Sequence, residues 1–338
     1  MRSKRLTAKY GSKTESRKGG ALDPDEVQKY KDALEQWEVN LRLEKEKMVL
    51  VSLGLPEGVI FLENPTVCMW NEEKKSWWAG DIYEVDHEHS ERRITFRVSR
   101  FGLFSLAVRK YQNYPYKSWD IRPNDDDSIS IVLEGSRVTV NLTIQESDIK
   151  VVDFEYRLSD YLVGERGLNS LKSKSWNLPR FIEMMQRSGL DMFPDHDANC
   201  YYTATMEKHW PTAYVAYHAM AQTAIRYNFS RSKWNSESGR RSIVLRLREY
   251  DPTDEAAILR TFDLVQVTPL RSQVLVCTED DENFSDEASI LYKFQPNLQY
   301  LLKSMSKVTN RAKINDFSPT TIHTLTEFLT RTRIFSFS

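Results

Sequence analysis

The sequence predicts a mainly β protein with an α+β second half. Three observations predict it. From residue 49 onward apolar residues recur at a period of two, in short runs split by turn signals such as LPEG, NEEK, HEHSER and PNDDDS. From residue 178 onward, helical patterns are interleaved with further strand patterns. The 338 residues make two compact domains the natural prior, and the chain carries eight Trp, 16 Tyr and 15 Phe.

Residues 1–22 are polar and basic (Arg2, Lys4, Arg5, Lys9, Lys13, Arg17, Lys18) and read as a disordered tail. Asp23-Pro24 marks a helix start, with Asp at the cap and Pro in the first turn. An amphipathic helix is expected over 23–48, with Val27, Tyr30, Leu34, Trp37, Leu41 and Met48 along one seam that skips a position at Glu44. Strand candidates follow: VLVSLGL, GVIFLEN, TVCMW, ITFRVS, LFSLAVR, SISIVLEG, RVTVNLTI and IKVVDFEY. ITFRVS alternates cleanly, with Ile94, Phe96 and Val98 on one face. Many strands without helices between them indicate an antiparallel β-sandwich over 49–157, not a Rossmann-type sheet.

An α+β domain is expected over 158–338. Its helices are placed at 178–189, with Pro179 near the start and Gly189 as the stop, at 210–228, and near 296–308 and 318–331. Its strands are placed at 242–249, about 261–267 and 272–278. The tail with Phe335 and Phe337 reads as an edge strand or a disordered end.

The net charge of −1 argues against a broad nucleic-acid footprint. No apolar run reaches the length of a membrane span, and the N-terminus lacks the apolar core of a signal peptide. Cys68, Cys200 and Cys277 are far apart and form no CxxC, which fits a reducing compartment. An intracellular protein is the expectation.

Catalytic motifs are scarce. There is no G-x-S-x-G elbow, no P-loop and no G-x-G-x-x-G, and the 12 glycines leave little material for phosphate-cradling loops. His87 and His89 would share a strand face and could share a metal, but DHEHSER reads as a solvated turn. Asp195, His196 and Asp197 could touch a cation, although PDHDAN reads as a plain loop. The acidic loop 279–287 lacks the order and the glycine of a calcium loop, and could meet a basic partner surface. No catalytic residue, cofactor or metal is expected. Trp77 and Trp78 are adjacent, so on a strand one ring faces in and the other is an interface anchor unless a neighbouring loop or the N-terminal helix covers it.

The most distinctive stretch is YQNYPYKSWDIRP, residues 111–123. Asn113 and Pro115 break the strand ladder, and Trp119 and Ile121 resume the alternation until Arg122-Pro123 ends it. It reads as a crossover between two sheets, with Tyr114, Tyr116 and Trp119 plugging one end of the sandwich rather than forming a ligand platform.

Those residues carry a resemblance. Trp78 to Val85 (WAGDIYEV), then ITFRVSRFGLFSLAV, then NYPYKSWDIRP, then LPRFIEMMQRSGLDMFP and FSRSKWN resemble the cancer susceptibility candidate 1, or axonemal dynein intermediate chain 7, family. The resemblance covers about residues 50–240, and its signature positions here are Asn113, Pro115, Tyr116, Trp119, Arg122 and Pro123. It implies a non-catalytic accessory subunit of the ciliary inner dynein arm, in the cytoplasm and the axoneme. The implied partners are axonemal dynein heavy and intermediate chains and tubulin. Members carry a long charged helical region before this block, so the resemblance also implies a partial member of the family. The expected docking residues are Tyr30, Leu34, Trp37, Leu41, Trp77 and Trp78. The rival expectations are an intracellular adaptor that binds a peptide or small ligand at Trp77, Trp78 and Trp119, and a metal-dependent hydrolase built on His87 and His89.

Overall fold

The computed structural model describes residues 24–156, 165–202, 205–252 and 261–338. The chain forms two compact units. The first takes Met1–Pro56 and Glu63–Val108, the second Glu57–Leu62 and Arg109–Ser338. The tail 1–22 expected from sequence lies outside the described residues.

The first unit opens with helix α1 (Pro24–Glu46), close to the span expected. Six strands follow: β1 (Val49–Gly54), β2 (Thr66–Asn71), β3 (Ser76–Trp78), β4 (Ile82–Glu88), β5 (Arg93–Val98) and β6 (Phe104–Ala107). They form two antiparallel three-stranded sheets, ordered β1-β5-β4 and β3-β2-β6. The alternation read from ITFRVS holds: Ile94, Phe96 and Val98 are buried and their neighbours are not. The Phe96 and Phe104 rings meet edge to face at 5.4 Å, one from each sheet.

The second unit holds strands β7 (Ser118–Pro123), β8 (Ile129–Glu134), β9 (Val138–Gln145) and β10 (Asp148–Tyr156). Then come α2 (Glu165–Lys172), β11 (Ser175–Trp176), α3 (Leu178–Arg187), α4 (Ala198–Tyr201) and α5 (Trp210–Thr223). Strands β12 (Tyr227–Arg231), β13 (Ile243–Glu249), β14 (Asp263–Val267) and β15 (Ser272–Val274) follow, and α6 (Leu298–Met305), α7 (Val308–Asn315) and α8 (Pro319–Thr332) close the order. All nine strands form one sheet, ordered β11-β10-β9-β8-β7-β12-β13-β14-β15. One face carries apolar residues such as Ile121, Ile131, Leu142, Phe229 and Leu245, all essentially inaccessible. Against the sheet pack α3 on β10, α5 on β12, α6 on β15 and α8 on β9, and α5 also packs against α6 and α8. Antiparallel pairing with the helices on one face is an α+β arrangement.

Three expectations are corrected. The boundary expected at 157/158 falls inside the nine-stranded sheet. Strands β7–β10 continue into the same sheet as β12–β15, because β7 pairs with β12 through Phe229 opposite Ile121 and Ser230 opposite Asp120. The strand expected in GVIFLEN is absent. Residues 57–62 leave the first unit, and the Ile60 amide donates to Ser188 O (2.8 Å) beside Gly189, whose φ of +81° ends α3 as expected. A Cβ on that glycine would sit 2.4 Å from Ile60 O, so only glycine fits.

The third correction is the tail. Phe335 and Phe337 are neither edge strand nor disordered: they are 1% and 0% exposed. Phe335 stacks on Tyr217 at 4.6 Å and 5°, its amide donates to Tyr217 OH (3.2 Å), and its carbonyl accepts from Asn235 Nδ2 (2.8 Å). Phe337 lies 5.4 Å from the Tyr114 ring. A period-two Phe pair looks like a strand in sequence, but here tertiary packing sets its conformation.

Phe337→Ala should therefore cost about 3–5 kcal/mol, the usual penalty for emptying a buried aromatic site. Phe101→Ala, at a ring 72% exposed, should stay within about 0.5 kcal/mol. Denaturant unfolding of both variants checks the contrast.

Candidate partner-docking site

Residues 111–123 do not form a ligand platform. Tyr111, Tyr114, Tyr116 and Trp119 are 1–2% exposed, and Asn113 is fully buried. The Tyr116 amide donates to Phe337 O (2.7 Å), and its hydroxyl donates to Met192 O (2.7 Å), with Thr332 O at 3.3 Å. Asn113 Nδ2 donates to Asp191 O (3.2 Å), and Asn113 O accepts from the Ser136 amide (2.9 Å). The Tyr114 ring meets Tyr111, Tyr116, Tyr202 and Phe337 within 6.2 Å. The Tyr114–Pro115 peptide is cis. Trp119 Nε1 reaches Ser338 Oγ at 3.4 Å, and its ring faces Phe335 at 5.9 Å. Arg122 stands apart: its side chain is exposed and paired with Asp120 at 3.4 Å, while Pro123 is buried. The segment is a plug, as read from sequence, but it plugs the nine-stranded unit rather than the end of a sandwich.

The two sequence-level metal candidates are explained by other contacts. His87 Nε2 lies 3.0 Å from Pro65 O, and His89 sits in the turn where its carbonyl accepts from the Arg92 amide (3.3 Å). A bulge in β4 between Tyr83 and Asp86, with Glu84 at φ +48°, interrupts the alternation near that end. In the PDHDAN loop, Lys110 Nζ pairs with Asp195 (2.9 Å) and Asp197 (3.1 Å), and the Tyr111 hydroxyl donates to Asp197. The Tyr111 hydroxyl and then Lys110 hold the Asp197 carboxyl below its ordinary pKa. Among the described residues no group of three or more His, Cys, Asp or Glu is placed to hold a metal ion.

The exposed apolar residues lie elsewhere. On α1, every described side chain from residue 28 to 40 is exposed. Tyr30, Leu34 and Trp37 recur at i, i+4 and i+7, which puts them on one stripe, 61%, 44% and 44% accessible. The Leu41 side chain lies outside the described set. The tryptophan pair divides as its alternation demands. The Trp78 ring is half-buried, with Lys74 Nζ 4.7 Å above it, and Gly80 is close enough that a Cβ there would strike the indole at 2.4 Å. Trp77 is half exposed. It pairs across the strands with Trp70, ring to ring at 5.4 Å, and the Trp70 amide donates to Leu103 O (2.9 Å). Trp77, Trp70 and Leu103 therefore form a cross-strand row on one face of the sheet. Phe101 and Leu103 are also exposed; Leu103 opens the strand candidate LFSLAVR, but neither residue was singled out as a contact, because nothing in the local pattern says that they stay uncovered.

With that geometry in view, the likeness to known proteins has a place to attach. The family model described as cancer susceptibility candidate 1 C-terminal matches residues 73–296, well over half of the chain. This chain belongs to that family. The match takes in Trp77, the aromatic plug and the whole nine-stranded sheet, and leaves α1 outside. Among curated proteins it is 26% identical to the dynein axonemal intermediate chain 7 of Bos taurus over 289 residues, and 27% identical to that of Homo sapiens over 289 residues. Each alignment covers 85% of this chain and 39% of the relative. The dynein axonemal intermediate chain 7 homolog of Ciona intestinalis is 27% identical over 70% of this chain and 32% of its own length. The chain thus spans about two-fifths of the length of the first relatives it matches.

Two predictions follow from the plug of this cancer susceptibility candidate 1 family member. Tyr116→Phe leaves the Met192 carbonyl without its short donor and should cost about 1–3 kcal/mol in denaturant unfolding. Burial also pushes the phenol pKa values of Tyr114, Tyr116 and Tyr217 up. Folded values above the unfolded value of about 10 mean stability that is complete below that pH and lost as pH rises beyond it. In an alkaline titration, the phenolate absorbance of these buried rings should therefore appear together with loss of near-ultraviolet circular dichroism, not before it.

Proposed function

We propose that this chain is a non-catalytic structural subunit of an axonemal inner-arm dynein complex, contributing to assembly of the complex and to its attachment to the microtubule. The observation that carries the reading is α1. An isolated helix of 23 residues gains little from propensity alone and draws its stability from tertiary packing. This one presents an aromatic stripe and buries none of its described side chains from residue 28 to 40. Such a helix is built for another surface. Its setting is a family whose curated relatives are named dynein axonemal intermediate chain 7.

On this reading Tyr30, Leu34 and Trp37, with Leu41 next along the sequence seam, dock onto dynein heavy or intermediate chains. Each of the three exposed side chains supplies about 1.5–3 kcal/mol if fully covered. The Trp77–Trp70–Leu103 row offers a second contact of the same chemistry. The basic residues of 1–22 supply a salt-sensitive contact to the acidic surface of tubulin, an assignment that rests on sequence alone. The site of action is the axoneme of the motile cilium, and no cofactor is needed.

Affinity purification of the tagged chain from ciliated tissue, with mass spectrometry, tests this. Co-recovery of axonemal dynein heavy and intermediate chains is expected. Trp37→Asp should lower that recovery at least about tenfold, equivalent to roughly 1.4 kcal/mol. Recovery of unrelated cytosolic proteins without dynein would transfer the aromatic surfaces to an adaptor role. A Trp37→Asp chain that still recovers every dynein subunit would remove α1 from the contact.

A further inference from the structure

The far edge of the nine-stranded sheet carries a feature that the dynein reading does not use. Strand β15 pairs with β14 on one side. On its other side the chain returns and pairs only at separated points. The Ser289 amide donates to Val274 O (2.8 Å), while Ser272 and Gln295 exchange two bonds of 2.7 and 2.9 Å. Two steps along the edge strand thus face six along the returning chain. Residues 290–294 are expelled as a loop whose base is only about 7 Å wide, two strand residues long.

The expelled residues are Ile-Leu-Tyr-Lys-Phe. Ile290 is 99% exposed, Leu291 82% and Phe294 64%. Beside them the β14–β15 hairpin turn exposes Leu270, and the Arg271 guanidinium lies 5.9 Å from the Phe294 ring. Scattered exposed apolar side chains are ordinary, but several of the largest together on one pinned loop mark an interaction surface. The pinning matters for affinity, because a loop already held at its base loses less conformational freedom on binding.

The flank states the chemistry of the partner. Residues 279–287 run directly into this loop and carry Glu279, Asp280, Asp281, Glu282, Asp286 and Glu287. Glu279 accepts from the Lys233 amide (3.2 Å) and Asp281 from the Thr278 amide (2.7 Å). The side chains of Asp280, Glu282, Asp286 and Glu287 face solvent. Lys293 and Arg271 are the cations of the ridge itself. An apolar tip with an acidic flank is repelled by an anionic bilayer and matched by a basic protein surface.

We propose that residues 290–294 are a docking finger whose Ile290 and Leu291 enter an apolar cleft, rimmed by Lys and Arg, on a partner protein. The finger is independent of α1 and stands whether or not the partner is a dynein subunit.

Site-specific photo-crosslinking of the full chain in ciliated-cell extract tests it, with the crosslinker at position 290. A control at Val152, also exposed but on β10 near the opposite edge of the sheet, reports non-specific capture. The expected adduct from position 290 is one dominant peptide with apolar residues flanked by Lys or Arg, absent from the control. Leu291→Asp should abolish it. The pair Asp280→Lys and Glu282→Lys should lower its yield at least about fivefold, as should raised salt. Both sets of changes are on the surface, and unchanged thermal unfolding verifies that the fold is kept. No adduct, a phospholipid adduct, an adduct to a second copy of this chain, or an adduct insensitive to both sets of variants would each overturn the proposal.

Discussion

The hydrogen bonds on Tyr116 hold the second unit together. Its amide is fixed to Phe337 O and its hydroxyl to Met192 O, both at 2.7 Å, at a site with no access to water. Tyr116 lies two residues before the start of β7, the middle strand of nine. One residue therefore joins the centre of the sheet, the loop that follows α3, and the C-terminal segment. In water such bonds exchange for solvent at small net gain; here, breaking one leaves a buried carbonyl unpaired, which costs far more.

The rest of the unit is arranged around that junction. Phe335 and Phe337 fill the space between α5 and the aromatic plug, so the C-terminal segment is core material despite its position in the chain. Lys208 anchors the neighbouring loop. It is 2% exposed and donates to the carbonyls of Asn235, Gly239 (2.9 Å) and Ser242 (2.8 Å) and to Ser238 Oγ (3.2 Å). Burial pushes its pKa down to about 8, while the ring of carbonyl oxygens favours the charged ammonium. Asn235 in turn donates to Phe335 O, so this loop and the C-terminal segment are ordered together. Among the apolar side chains left exposed, those on α1, on the Trp77 row and on the 290–294 loop are the ones the proposed functions use.

Much of the local structure was legible in the sequence, and the reasons are local. The period-two pattern of ITFRVS marked the buried face of β5, Pro179 and Gly189 bounded α3, and the density of rings in 111–123 marked a plug. The seam of α1 and the division of Trp77 from Trp78 follow from helical and strand geometry alone. What the sequence concealed depends on pairing between distant residues. Nothing in SWDIRP signals that it will lie beside YNFSR, more than a hundred residues later, so the sheet looked divisible at 157/158. Residues 57–62 read as a strand because Val59-Ile60-Phe61-Leu62 is apolar, but their partner is the turn after α3. The finger at 290–294 has no periodicity to read. It becomes visible only once Ser289 and Gln295 are seen anchored to the same short strand.

Native-state hydrogen exchange followed residue by residue tests the central claim most directly. If the junction at Tyr116 is the constraint on which the second unit depends, the amides of Tyr116, Ser136 and Phe335 should exchange only through global unfolding, with the protection of the β8 and β9 amides and the same denaturant dependence. Exchange of the Tyr116 and Phe335 amides through local opening, orders of magnitude faster than β8 and β9 and insensitive to denaturant, would show that the C-terminal segment frays from a sheet that stands without it, and would contradict the account.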